Sequence, residues 1–317
     1  MQWRQVWMGL VCAWATGSAM AAQPAPMVLQ QVGPHTFYVQ GLAALGSTDN
    51  QNFISNAGFV VAATGVVVID ALGSPALAKR LIAEIKAITD KPITHVIVTH
   101  YHADHIYGLQ AFKEVGAAIV GQERAREYMY SDTARLRLKA SRTDLAPWID
   151  DTTRIVAADQ WLTGSTTMEL AGTTFQVDVV GPAHTPEDLA VWVPSERVLF
   201  SGDLIFNGRL PFVGKANSSH WIEALEHLLQ YPAAAVVPGH GGASANPSSD
   251  IALVRDYLVY LRTTMGEAAA NFEPFESAYE AVDWSAFASV PMFKFANRMN
   301  AYNTYLLMEQ EGLKGIQ

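Results

Sequence analysis

The sequence predicts an α+β protein in which two sheets pack face to face with helices outside. Two observations carry that reading. A run of strand patterns followed by helical patterns occurs twice along 317 residues. Several short apolar runs also end in a turn residue followed by a His or Asp, an arrangement that gathers polar side chains at one edge of the sheets. A chain of this length can bury a real core. Half of it is hydrophobic and 16% is charged, which excludes a mainly disordered protein. The formal net charge of -9 gives no basic footprint for nucleic acid.

The first residues read as a signal peptide, 1–21. Arg4 supplies the positive start, Val6 to Trp14 is apolar, and Ala19-Met20-Ala21 offers a small-x-small cleavage site. Removal takes Arg4 away and makes the mature chain one unit more negative. It also takes Cys12, the single cysteine, so disulfides and thiolate ligands are excluded from the mature protein. A periplasmic or secreted location is expected. No other stretch is long and apolar enough to span a bilayer.

Residues 22–34, with Pro24, Pro26 and Pro34, look like a short mobile leader. A strand is expected over His35 to Gln40, then a Gly-, Asn- and Ser-rich loop from Gly46 to Asn52. Gly58 to Ala63 and Val66 to Asp70 read as a hairpin around Thr64-Gly65. From Pro75 to Ile88, Leu77, Leu81, Ile85 and Ile88 recur at helical spacing and make one buried face. Residues 95–99 form a buried strand, Ile106 to about Val115 a helix, and Ala117 to Val120 another strand. Residues 123–142 are charged and helical in pattern, which suits a solvated face or a lid over a site. A second run of strands occupies 160–201. Ser218 or Ser219 is positioned to cap a helix reaching Leu229, and Ala234 to Val237 is a buried strand. The tail from 247 is mostly helical. The boundaries drawn are 35–270 for the main domain and 271–317 for a C-terminal helical extension, whose aromatic residues could cover a pocket or meet a second subunit.

The chemistry concentrates in Val96-Ile97-Val98-Thr99-His100-Tyr101-His102-Ala103-Asp104-His105. Side chains two apart on extended chain share a side, so His100 and His102 can grip one ion, while Asp104 and His105 turn toward a second. Three imidazoles and a carboxylate so close together make poor core, since each would need a buried partner. Two ions need further ligands. His184 after Val179-Val180, Asp203 after Leu199-Phe200 and His240 after Val236-Val237 supply them, each just past an apolar run. Asp70 ends its own strand and is the candidate carboxylate behind a ligating histidine.

This pattern resembles the metallo-β-lactamase superfamily of hydrolases, especially its glyoxalase II-like and lactonase-like branches, over roughly residues 35–270. The resemblance implies an αββα sandwich with the site at one edge. It also implies that His100, His102 and His184 hold one metal, that Asp104, His105 and His240 hold the other, and that Asp203 bridges them. More loosely, the chain is similar to exported metallohydrolases associated with sulfur oxidation and quinoprotein systems. β-Lactamases of the superfamily usually carry Cys or Ser near the place of Asp203, so an Asp there looks more like the thioesterase, lactonase, phosphodiesterase and nuclease branches. His102 departs from the Glu of the flavodiiron branch. His184-Thr185-Pro186-Glu187-Asp188 departs from the His-Thr-Pro-Gly of many glyoxalase II enzymes, which counts against a glutathione thioester.

The expected activity is hydrolysis of a small-molecule ester, thioester or lactone by a hydroxide bridging two Zn, with Asp104 orienting the nucleophile and accepting its proton. Imidazole and carboxylate ligands suit Zn, and also Fe or Mn. A β-lactamase-like amidase and a periplasmic binding or accessory protein are the alternatives. His35, His95, His220 and His227 read as structural or surface residues, with His220 the one to watch. Tyr101, Tyr107, Phe206, Phe212 and Trp221 are candidates to line the cleft, and Gly239 and Gly241 to turn the chain around His240. No phosphate-binding G-x-x-x-x-G-K is present.

Overall fold

A computed structural model describes residues 26–314. The segment 1–21, expected to be a signal peptide, and Cys12 within it lie outside the described residues.

Twelve strands and nine helices are described. The chain starts with β1 (Leu29–Gln31), β2 (Thr36–Val39), β3 (Ala57–Val61) and β4 (Val66–Ile69), each antiparallel to the one before. Helix α1 (Pro75–Ile88) then crosses over to β5 (Ile93–Ile97), parallel to β4. The short helices α2 (Ala103–Ile106) and α3 (Leu109–Glu114) lead to β6 (Ala118–Gln122). Helices α4 (Ala125–Met129) and α5 (Asp132–Asp144) lead to β7 (Gln160–Leu162). These seven strands form one sheet in sequence order.

The second sheet runs β12-β11-β10-β9-β8, from β8 (Thr166–Leu170), β9 (Thr173–Val179), β10 (Leu189–Val193), β11 (Val198–Phe206) and β12 (Ala235–His240). Its pairs are antiparallel except β11 with β12, which are joined by the crossover helix α6 (Ser218–Leu228). Three helices follow: α7 (Pro247–Ala270), α8 (Phe275–Ala281) and α9 (Phe293–Lys314).

Alternation along the strands builds the layers. Val60, Val67, Ile69, Ile97 and Val120 of the first sheet meet Phe175, Val177, Val191, Phe200 and Val237 of the second in a buried layer between them. The opposite face of the first sheet, with Val66, Val68 and Val96, is covered by Leu77, Leu81 and Ile85 of α1 and Phe112 of α3. The opposite face of the second sheet packs on Leu225 of α6 and Val254, Leu258 and Leu261 of α7. The result is the four-layer αββα arrangement. Helix α1 occupies the residues its apolar spacing predicts, with Ser74 Oγ accepting the Leu77 N–H at 3.3 Å to cap it.

Four expectations need correction. Leu29–Gln31, assigned to a mobile leader, pair with β2 as an edge strand. The helical stretch 123–142 is broken, because Ser131 leaves helical conformation and its Oγ accepts the Ala134 N–H to start α5. The helix expected from Ile106 to Val115 is likewise two pieces, with the break at Tyr107-Gly108, where a side chain on Gly108 would overlap the Ala71 carbonyl. The cap of α6 is Asn217, not Ser218 or Ser219; its side chain accepts the His220 N–H.

Candidate metal centre

The carboxyl edges of β4, β5, β11 and β12 converge, and the polar side chains after or within these strands meet there. The ligand-type atoms fall into two groups, His100, His102, His184 and Asp203, and Asp104, His105 and His240. Within each group the atoms lie within 4.8 Å of one another. Asp203 touches both groups. Its Oδ2 is 3.6 Å from His100 Nε2, 3.4 Å from His184 Nε2 and 3.3 Å from His240 Nε2, and its Oδ1 is 3.2 Å from His105 Nε2. Asp104 Oδ2 is 3.3 Å from His240 Nε2.

Asp203 lies inside β11 rather than after a strand. The pairing of β11 with β12 shifts register on both sides of Gly202, whose φ of +51° and closeness to Thr99 exclude a side chain. That bulge turns the Asp203 carboxylate into the site. Gly241, at φ +91°, does turn the chain after His240. Gly239 has a different reason: a Cβ there would overlap Asp203 Oδ1.

The imidazoles are held from behind. Asp70 sits at φ +62° just past β4; its Oδ1 accepts the Thr99 N–H at 2.8 Å and its Oδ2 the Thr99 hydroxyl at 2.8 Å. The same Oδ2 is 2.9 Å from His105 Nδ1. Thr99 Oγ1 in turn is 3.1 Å from His100 Nδ1. One carboxylate thereby orients two histidines, and both present Nε2 to the centre. His240 Nδ1 donates to the Ile54 carbonyl at 2.6 Å, which turns its Nε2 inward too. His102 instead offers Nδ1, 3.1 Å from His184 Nε2.

This donor set fits a divalent cation pair. His100 Nε2, His105 Nε2 and Asp203 Oδ1 are buried and have no hydrogen-bond partner. A buried polar atom left unpaired costs about 1–3 kcal/mol, so three in one cluster call for bound cations. Burial pushes the His100 and His102 imidazoles down and His184 to about 3, which keeps their lone pairs free for a metal. Burial acts the same way on His105 and His240, but the Asp203, Asp70 and Asp104 carboxylates around them outweigh it and raise both. In the absence of metal, protons supply the positive charge that these carboxylates demand.

A cavity of about 900 Å³ opens over the cluster, with His102, Asp104, His184, Asp203 and His240 in its floor. Its walls come from the loop around Leu45 and Ile54, from α4 and α5, and from the loop 206–215. Thr133, Arg137, Ala140 and Ser141 of α5 face it, so this helix is a wall of the cavity as well as a charged surface. Its lining draws on no residue beyond His240. The C-terminal helices instead brace the loop: Asn300 Oδ1 accepts the Val213 N–H at 2.8 Å and Asn300 Nδ2 donates to the Pro211 carbonyl at 2.7 Å.

Phe206 and Phe212 line the cavity as expected. Tyr101 and Tyr107 are core, and Trp221 is core beneath His184, with its Nε1 donating to the Leu204 carbonyl at 3.0 Å. His220 stands at the surface near Glu223, away from the lining.

Sequence reading missed three supports. Ser55 Oγ donates to the Asp104 carbonyl at 2.5 Å. Asn56 accepts the Gly41 N–H and donates to the Pro238 and Gly241 carbonyls, clamping the His240 turn. Arg209 lies buried beside His240. Only the run of Asn and Ser before β3 hinted at the first two.

Residues 51–240 match the model of the metallo-β-lactamase superfamily. The chain belongs to this superfamily. It is 27% identical over 202 residues to a metallo-β-lactamase type 2 of Bacillus sp. (strain 170), covering 62% of this chain and 70% of that protein. It is 24% identical over 239 residues to a linear primary-alkylsulfatase of Pseudomonas sp. (strain ATCC 19151), covering 64% of this chain and 45% of that one. Among solved structures, the metallo-β-lactamase from Pontibacter korlensis superposes with a TM-score of 0.57 at 22% identity, over 74% of this chain and 99% of that one. The sec-alkylsulfatase Pisa1 from Pseudomonas sp. superposes with a TM-score of 0.69 at 15% identity, over 89% of this chain and 50% of that one. The chain thus spans about half the length of these alkylsulfatases. Membership makes the protein a metal-dependent hydrolase of the superfamily.

Proposed function

We propose that the protein is an exported binuclear zinc hydrolase that cleaves a small ester, thioester or lactone. The observation that carries this reading is the placement of Asp203 between the two ligand groups, with three unpartnered buried polar atoms spread over both groups. His100, His102 and His184 would hold one ion, Asp104, His105 and His240 the other, and Asp203 both. Two such ions supply Lewis acidity, lowering the pKa of water toward about 7 and polarising the substrate's acyl oxygen.

The chain's own residues do the rest. Asp70 and Thr99 fix the tautomers of His105 and His100. Asp104 is the more exposed of the two site carboxylates, 17% against 5% for Asp203, and it forms part of the cavity floor, where it can orient an attacking water and take its proton. The cavity walls combine apolar side chains with a few charged ones, which gives a substrate both a surface to pack on and polar groups to orient it.

Likeness to type 2 metallo-β-lactamases favours a second reading, hydrolysis of a β-lactam amide. Metal-loaded mature protein, assayed on a p-nitrophenyl ester, a thioester, a lactone and nitrocefin, separates the two. Turnover of an acyl ester that Asp104→Asn lowers at least about 100-fold supports the first; nitrocefin turnover alone replaces it with the second.

A further inference from the structure

One side chain ties the loop that carries His184 to the loop that carries His100 and His102. Glu187 Oε1 accepts the Tyr101 N–H at 3.2 Å, and Tyr101 stands between the two histidines in the chain. A main-chain bond runs alongside, from the Leu189 N–H to the Thr99 carbonyl at 2.8 Å. These two contacts hold residues 99–101 against residues 187–189. They lie next in the chain to His102 and His184, whose Nδ1 and Nε2 stand 3.1 Å apart.

The loop around Glu187 is built to keep it in place. The Asp188 carboxylate accepts the Thr185 N–H at 2.7 Å and the Thr185 hydroxyl at 2.6 Å. The Asp188 carbonyl accepts the Val180 and Gly181 N–H groups at 3.0 and 3.1 Å, which closes the loop on itself. A Cβ on Gly181 would overlap the Pro186 carbonyl, so the chain passes close there. Glu187 itself is 3% exposed. Arg124, the cation that acts on it, pairs with Glu127 instead. Burial raises the Glu187 carboxyl, and in either protonation state it keeps an oxygen that can accept an N–H. What Glu187 supplies is therefore reach to one N–H rather than a charge to a partner. Without it, the buried Tyr101 N–H would lack an acceptor, and the segment between two ligands would shift to find one. Glu187 also stands where the His-Thr-Pro-Gly of many glyoxalase II enzymes has Gly, which has no side chain to make this contact.

We propose that Glu187 is a positioning residue of the first ligand group. Through the Tyr101 N–H it sets the spacing of His102 and His184, and with it the affinity for the ion that His100, His102 and His184 would hold. The group Asp104, His105 and His240 does not depend on it. This inference rests on the metal-centre reading above.

The test titrates wild type, Glu187→Gln, Glu187→Asp and Glu187→Ala with zinc against a chromophoric chelator, and follows amide exchange at Tyr101 in the metal-free proteins. Gln keeps the reach without the charge, whereas Asp keeps the charge and is one methylene shorter. Glu187→Gln should bind both ions within about threefold of wild type, while Glu187→Asp and Glu187→Ala should weaken one ion by about 10–100-fold and spare the other. Exchange at Tyr101 should quicken by about tenfold or more in the Asp and Ala variants and stay near wild type in the Gln variant. The proposal is overturned if Glu187→Ala binds both ions as wild type does, or if both ions weaken alike. It is also overturned if Glu187→Asp matches wild type while Glu187→Gln fails, which would make Glu187 a charge and not a reach. Wild type that binds no zinc overturns the metal-centre reading, and Tyr101 exchange then decides the link alone: quicker in Glu187→Ala supports it, unchanged overturns it. If Glu187→Ala does not fold, Glu187→Gln against Glu187→Asp decides.

Discussion

Asp70 Oδ2 stands 2.9 Å from His105 Nδ1, and through Thr99 the same carboxylate also reaches His100. One side chain at a left-handed backbone position therefore sets the orientation of a histidine in each ligand group. Asp70→Asn keeps the shape but replaces one acceptor oxygen with a donor. It should lower metal affinity by about 10–100-fold, read by competition with a chromophoric chelator. Unchanged affinity would remove Asp70 from the account.

Metal affinity should fall with acid, and earlier than free imidazole would suggest. His105 and His240 are raised by the carboxylates around them, so in the metal-free protein they still hold protons at a pH where an ordinary imidazole has lost them. A metal must displace those protons, so affinity rises with pH through and above about 6.5. Chelator competition between pH 5 and pH 9, values chosen to bracket the transition, measures the proton release; a flat profile contradicts the assignment.

Gly239→Ala tests the close approach of β12 to Asp203. The added methyl would overlap Asp203 Oδ1, so either the carboxylate or the strand must move. The variant should lose metal and about 1–3 kcal/mol of stability, read by elemental analysis and thermal unfolding. Gly214→Ala, in the same region but with open space around it, controls for the general effect of filling a glycine, though its positive φ of +54° adds some strain.

Asn300→Ala should loosen the cavity wall without touching a ligand. It removes the acceptor of Val213 N–H and the donor to the Pro211 carbonyl, both buried, at a cost of about 1–3 kcal/mol each at most. A lower unfolding temperature with full metal content, together with a raised KM, is the expected result. Intact KM would mean that α9 does not position the loop 206–215.

The cluster of His and Asp side chains was legible because each member sits beside an apolar strand run, and runs of Val and Ile make the adjacent turn residue stand out. The sandwich was legible for the same reason, as was α1 from its regular leucines and isoleucines. The supports were not. Asn56 and Ser55 act through main-chain atoms that lie 182 and 49 residues away, and no local spacing encodes such a contact. Nothing around Arg209 marks it in the sequence, because burial is a tertiary property. Asp203 looked like a strand-ending Asp, because the bulge at Gly202 is invisible until β12 is placed beside β11.

The central claim is a two-metal centre built on His100, His102, Asp104, His105, His184, Asp203 and His240. Elemental analysis of purified mature protein, dialysed against trace zinc and then metal-free buffer, tests it most directly. The account predicts about two zinc per chain, falling to about one or fewer in Asp203→Ala because both groups lose a ligand. A wild-type protein that retains no metal, under conditions in which a known zinc enzyme stays loaded, would contradict it.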